Sequence, residues 1–223
     1  MVKISQEAIP SIYSGFMEEI KVRIEAAKLA LQNAADQMET NPAAYLHVEF
    51  CYLQIRFVTE LIALAVLVAH NNIDDFRTNR FIGEYKADAI FGRLTQLNKD
   101  GFPQPFTPGA VNTEGLMDAV VSTKGHLTSV GLAKIYHDCG DRLHTRSLKR
   151  LVQLGRRYDL GEAQSWYRQI MRLLEFHVIF LPEMKRSLIV FMAYTPDGHV
   201  HCELRDLARV EGTYQTQDPG PRS

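Results

Sequence analysis

"NPAAYLHVEFCYLQIRFVTELIALAVLVAH", Asn41 to His70, is the stretch on which the fold turns. Asn41 followed by Pro42 supplies a capping side chain and a residue whose missing N–H costs little in a first helical turn. No glycine or proline then interrupts the chain from Ala43 to His70. Leu46, Phe50, Leu53, Phe57, Leu61 and Leu64 recur at helical spacing on one side, while Ile62, Val66 and Val68 fall elsewhere. A helix apolar nearly all the way round belongs at the centre of a bundle. Its longest unbroken apolar run, Leu61 to Ala69, is about half of the roughly 20 residues a membrane span needs, so it reads as a core helix.

The neighbouring segments supply the rest of such a bundle. Ile12, Phe16, Ile20 and Ile24 recur every four residues, with Pro10 in the first turn, and predict a long first helix ending near Met38. Phe76, Phe81, Ala87, Ile90 and Leu94 predict a third helix from Ile73 to Leu97, which "NKDGFPQPFTPG" breaks. Residues 101–125 then read as a long irregular connection with one short element around Leu116 to Val121. A fourth helix is capped by Thr128 or Ser129 and runs through Leu132, Ile135 and Tyr136 to about Leu143. Trp166, Ile170, Leu173 and Leu174 place a fifth within "EAQSWYRQIMRLLEFH". The period then changes: "HVIFL", "SLIVFMAY" and "HVHCEL" are short strand-like runs separated by "PEMKR" and the turn signal "TPDG". The expected fold is mainly α: a bundle of about five helices over residues 5–176, with a small C-terminal β element. That element is a three-stranded antiparallel meander over 177–208, packed on the bundle in the same domain, followed by a polar, disordered tail over 209–223.

With 25 Lys and Arg against 26 Asp and Glu, the chain is not a globally basic nucleic-acid binder, so any such activity needs a local patch. Met1 to Ile20 lacks the basic-then-apolar pattern of an export signal, and three well-separated cysteines suit a reducing compartment. The expected location is the cytoplasm. There is no glycine-rich phosphate loop, dinucleotide fingerprint, nucleophile elbow or Cys-x-x-Cys pair, so no cofactor is expected.

Two groups of polar residues stand out. Arg56 and Glu60, four apart, share a face of the apolar second helix. They make either a structural ion pair or the frame of a polar pocket, and a second polar group arriving from another helix would favour the pocket. The other group is "YHDCGDRLHTRSLKR", Tyr136 to Arg150. Here His144 is a candidate acid or base beside Arg142, with Asp138 and Asp141 about a turn earlier. Between Arg142 and Arg157 the chain carries Arg142, Arg146, Lys149, Arg150, Arg156 and Arg157, a positive cluster with no acidic residue among them. They suit phosphate contacts, and equally a solvated helix face. His47 with Cys51, and His199 with His201, have ligand-like spacing, but ordinary packing and surface placement account for both, and no metal is expected.

An Arg-x3-Glu helix in apolar sequence, followed by a helix ending in Tyr-x-x-Cys-Gly-x-x-Leu-His, resembles a divergent branch of the HEPN superfamily over residues 45–144. The resemblance implies a helical bundle that acts on RNA, with metal-independent endoribonuclease activity in a defence or toxin–antitoxin system, a cognate antitoxin or other protein partner, and work across a homodimer interface. The family hallmark is an arginine, then four to six intervening residues, then a histidine. His144 matches the histidine, but His137, Asp138 and Cys139 stand where the arginine would be. Arg142 and Arg56 would then be the available cations, with Glu60 orienting them. Arg172 and His177 fit the literal spacing but straddle the predicted helix-to-strand junction and rank below His144. The alternative expectation is a non-catalytic helical module that binds a partner protein or nucleic acid.

Overall fold

Asn41 opens the second helix as expected: its side chain accepts a hydrogen bond from the Ala43 N–H at 2.9 Å, and a 3-10 turn over Pro42–Ala44 feeds straight into α2, Tyr45–Ala69. The computed structural model describes residues 4–71, 86–98, 100–111, 117–122, 125–143, 158–192 and 197–206. α1, Ile9–Gln37, carries Pro10 in its first turn and forms a helical hairpin with α2. Alanines lie on the buried faces of both, Ala27, Ala30 and Ala34 on α1 and Ala63, Ala65 and Ala69 on α2. α3, Ala87–Leu97, covers the described part of the predicted third helix; residues 73–85 of that prediction lie outside the described residues. α4, Ser129–Leu143, begins after Thr128, whose hydroxyl accepts from the Gly131 N–H. α5, Leu160–Leu174, is capped by Asp159, whose carboxylate accepts from the Glu162 N–H at 2.9 Å.

α2 is the hub, packing against α1, α3, α4 and α5. It is not wrapped on all sides, however. Val48, Ile55, Ile62 and Val66 are sealed in the core, whereas Leu46 and Phe50, on the opposite side, are 49% and 45% exposed and Leu53, Phe57, Leu61 and Leu64 are only half-buried. The segment Pro42–Ala69 is long and apolar enough to cross a membrane by length and hydropathy, but just over half of its most apolar window, 56%, is buried within the protein.

The β element departs from expectation. Five strands, not three, form one antiparallel sheet in the order β2-β1-β3-β4-β5: β1 Gln104–Val111, β2 Met117–Val121, β3 Phe176–Leu181, β4 Arg186–Phe191 and β5 His201–Asp206. Of the two additional strands, β2 lies at the short element expected around Leu116 to Val121, whereas β1 comes from the part read as irregular. Pro105 and Pro108 lie within β1 and argue against a strand in the sequence, yet β1 pairs with β3 only through Gln104 and Pro105. Beyond that point its ladder runs to β2 alone, so Pro108 sits where no donor toward β3 is needed. Between Pro108 and Val111 the register slips, as befits a strand interrupted by proline and glycine. The other three strands lie where the change of period put them, with Lys185 in the left-handed region at φ 51° closing the turn between β3 and β4.

α1 clasps the far edge of this sheet. Glu18 accepts from the Val200 N–H at 2.7 Å and from His199 Nδ1 at 3.3 Å, and the Ser14 hydroxyl donates to the Val200 carbonyl. The Val200 amide holds the Glu18 carboxyl below its ordinary pKa. Residues 207–223, including the predicted tail, lie outside the described residues.

Candidate functional site

Arg56 leaves the apolar surface of α2 and reaches α4. Its Nε lies 3.4 Å from Glu60 Oε1, its Nη2 donates to the Tyr136 hydroxyl at 2.8 Å, and its Nη1 donates to the Tyr136 carbonyl at 3.4 Å. The guanidinium carbon stands 4.1 Å from the centre of the Tyr136 ring, a cation–π geometry. The second polar group that would favour a pocket over a bare ion pair is therefore Tyr136. Burial raises the Tyr136 pKa, Arg56 opposes that shift, and Glu60 adds to it.

The neighbouring Cys139-Gly140 pair is a packing feature. Cys139 is fully buried, and burial pushes its thiol pKa well up, leaving a poor nucleophile. A Cβ on Gly140 would stand 2.6 Å from Arg56 Nη1, so the absence of a side chain is what admits the guanidinium. Gly140→Ala should leave the thermal midpoint within a few degrees, because the gain in helix propensity of about 1 kcal/mol offsets the shift of one flexible side chain. It should also dislodge Arg56 from Tyr136, read as a change in tyrosine ultraviolet absorbance or in the Arg56 side-chain NMR signal. A wild-type signal would mean that the guanidinium does not need the gap.

The remaining candidates divide. Arg142 serves a different carboxylate, Glu162 on α5, at 2.8 Å, and the Tyr52 hydroxyl lies 3.4 Å from the same oxygen. Asp138 pairs with Lys134 on its own helix and takes no part in the Arg56 cluster. His144 and the basic residues Arg146, Lys149, Arg150, Arg156 and Arg157 lie outside the described residues. His177, the other histidine at family spacing, is fully buried in β3. Its Nδ1 donates to the Leu174 carbonyl at 2.9 Å, so its Nε2 accepts the Tyr13 hydroxyl at 2.8 Å. Burial lowers its pKa to about 4. It is a core histidine with both nitrogens occupied.

One pair escaped the sequence reading. Asp88, in the first turn of α3, places Oδ2 3.2 Å from Nε2 of His137 on α4, while its Oδ1 is buried without a hydrogen-bond partner among the described residues. His137 packs edge-on against Tyr136 at 5.7 Å between ring centres, so the α2 cation meets Tyr136 and the α3 carboxylate meets the next residue of α4. Nothing in the spacing of residues 88 and 137 signals the contact. His137 itself was visible only as a position where the family arginine is missing.

Among the described residues no group of three or more His, Cys, Asp or Glu side chains is arranged to hold a metal ion. His47 and Cys51 share α2, where Cys51 is sealed and burial raises its pKa to about 12. His201 Nε2 is bonded to Asp197 at 2.9 Å and His199 to Glu18, both at the surface. No family model, curated protein or solved structure matches the chain. The protein thus falls in the class of mainly helical proteins that carry one antiparallel sheet, and its functional assignment rests on the cluster around Tyr136.

Proposed function

We propose that this chain is a HEPN-like, RNA-directed protein of the cytoplasm, acting as a metal-independent endoribonuclease in a defence or toxin–antitoxin system. The observation that carries this reading is the seating of Arg56 on α4. The guanidinium lies over Tyr136 and against Gly140, four residues before His144, so α2 delivers a cation to the helix that leads to the family histidine and on which the family arginine is missing. In this reading His144 is the acid/base and Arg56 with Arg142 supplies positive charge. The run Arg146, Lys149, Arg150, Arg156 and Arg157 holds the RNA backbone, and the RNA 2′-hydroxyl is the nucleophile.

An RNA-cleavage assay without added metal tests this. The wild type should cleave, and His144→Ala should reduce the rate by roughly 10²- to 10⁴-fold. Equal activity in both proteins would remove His144 from the mechanism. A second reading, a non-catalytic module that binds a partner protein or nucleic acid, is favoured by two observations. Arg56 and Arg142 are already paired with glutamates, and Leu46 and Phe50 face outward. Absence of cleavage by the wild type, with retained RNA or protein binding, would select it.

A further inference from the structure

We propose that His137, held by Asp88, is a general base of the RNA-cleaving site; this rests on the nuclease reading above. Among the described residues, His137, His199 and His201 each pair with a carboxylate at the surface, and His137, at 63% side-chain exposure, is the one whose carboxylate keeps its second oxygen sealed without a partner. The Asp88 side chain is about two-thirds buried, and one of its oxygens is sealed without a partner, so the ion depends on the proton donor at its other oxygen. That donor is the Nε2–H of His137. Fixing the proton there leaves Nδ1 unprotonated in the neutral ring, with no partner among the described residues. A carboxylate bonded to one ring nitrogen in this way orients the imidazole so that the other can accept a proton. Arg56 rests on the ring of Tyr136, the residue before His137, whose own ring packs edge-on against that tyrosine.

The reaction this supports needs no nucleophile from the protein. His137 Nδ1 takes the proton of an RNA 2′-hydroxyl as the 2′-oxygen attacks the adjacent phosphorus. The bond from phosphorus to the 5′-oxygen breaks, leaving a 2′,3′-cyclic phosphate and a 5′-hydroxyl end. The departing oxygen takes its proton from the acid of the reading above, His144, and the imidazolium of His137 returns its own to solvent, from which His144 is reprotonated. Asp88 touches no substrate and acts as a positioning residue.

The test compares wild type, His137→Ala, Asp88→Asn and His144→Ala on a short single-stranded RNA without metal. His137→Ala should lose roughly 10²- to 10⁴-fold in rate, keep its circular dichroism spectrum, and regain part of its activity when free imidazole is added. Asp88→Asn keeps the side-chain shape but should slow cleavage and shift the His137 ring away from the Nε2–H tautomer, read by nitrogen-15 NMR. Wild-type activity in His137→Ala together with loss in His144→Ala would overturn the role of His137 and leave the nuclease reading standing. A His137→Ala loss without imidazole rescue, or a wild-type tautomer in Asp88→Asn, would also overturn the dyad. A wild type that cleaves no RNA would overturn both readings at once.

Discussion

The urea midpoint of this protein is expected to fall steeply as the pH drops from about 6.5 to about 4. Among the described residues two histidines are sealed in the core, His70 and His177, and burial lowers the pKa of each from 6.5 to about 4. His177 stands between the Tyr13 hydroxyl and the Leu174 carbonyl, while the His70 Nε2 donates to the Gly101 carbonyl at 2.8 Å. Gly101 has no room for a side chain there, since a Cβ would stand 2.6 Å from that nitrogen. In the unfolded chain both rings take a proton near pH 6.5; in the folded one they hold out until about pH 4. Between these values the unfolded state binds more protons, so stability falls as the pH is lowered, by on the order of 3 kcal/mol for each ring. Above pH 6.5 both rings are neutral in either state and the dependence vanishes. The carboxyl of Glu18, lowered by the Val200 amide, adds a loss in the same direction only at more acidic pH. Replacing His70 with Asn and His177 with Gln should weaken the protein at pH 7 but flatten its slope between pH 6.5 and 4. An unchanged slope would mean that the rings reach water in the folded state.

The second large effect separates the two faces of α2. Ile62→Ala should cost about 2–5 kcal/mol, because the side chain is fully buried and its removal leaves a cavity that close-packed neighbours fill only in part. Leu46→Ala, on the same helix and in an equally apolar sequence context, should stay within about 0.5 kcal/mol, since nearly half of that side chain already meets water. Thermal or urea unfolding of the two variants gives the contrast directly. Similar losses in both would mean that the outward stripe of α2 is covered in solution.

That contrast also marks where sequence reasoning stops. The existence, start and end of α2 were legible, because Asn41-Pro42 and an unbroken apolar period are local signals. Which side of it faces the core was not: with leucine, isoleucine, valine and phenylalanine on every side, the period no longer distinguishes in from out. β1 was hidden for the opposite reason, since two prolines and a glycine outvote a short strand until its partner on only one side is known. At the candidate site, Arg56 and Glu60 were visible as neighbours one helical turn apart. Tyr136 and the Asp88–His137 contact were not, because they exist only once three helices converge. His177 shows the converse: its spacing from Arg172 fits a catalytic pattern, yet the β-strand that carries it ends in the core.

The clasp between α1 and the sheet has a temporal side. Glu18 and the Val200 amide that it accepts from are separated by 182 positions. As the chain emerges from the ribosome, α1 and α2 can pair at once, and α4 and α5 can follow onto them. The sheet-facing flank of α1 meanwhile waits for a strand synthesised long afterwards. Until residue 200 has been made, Glu18 and Ser14 lack the Val200 backbone groups they bond in the fold. The segment leading into β5 thus closes the fold onto its first helix, a long-range contact that forms late.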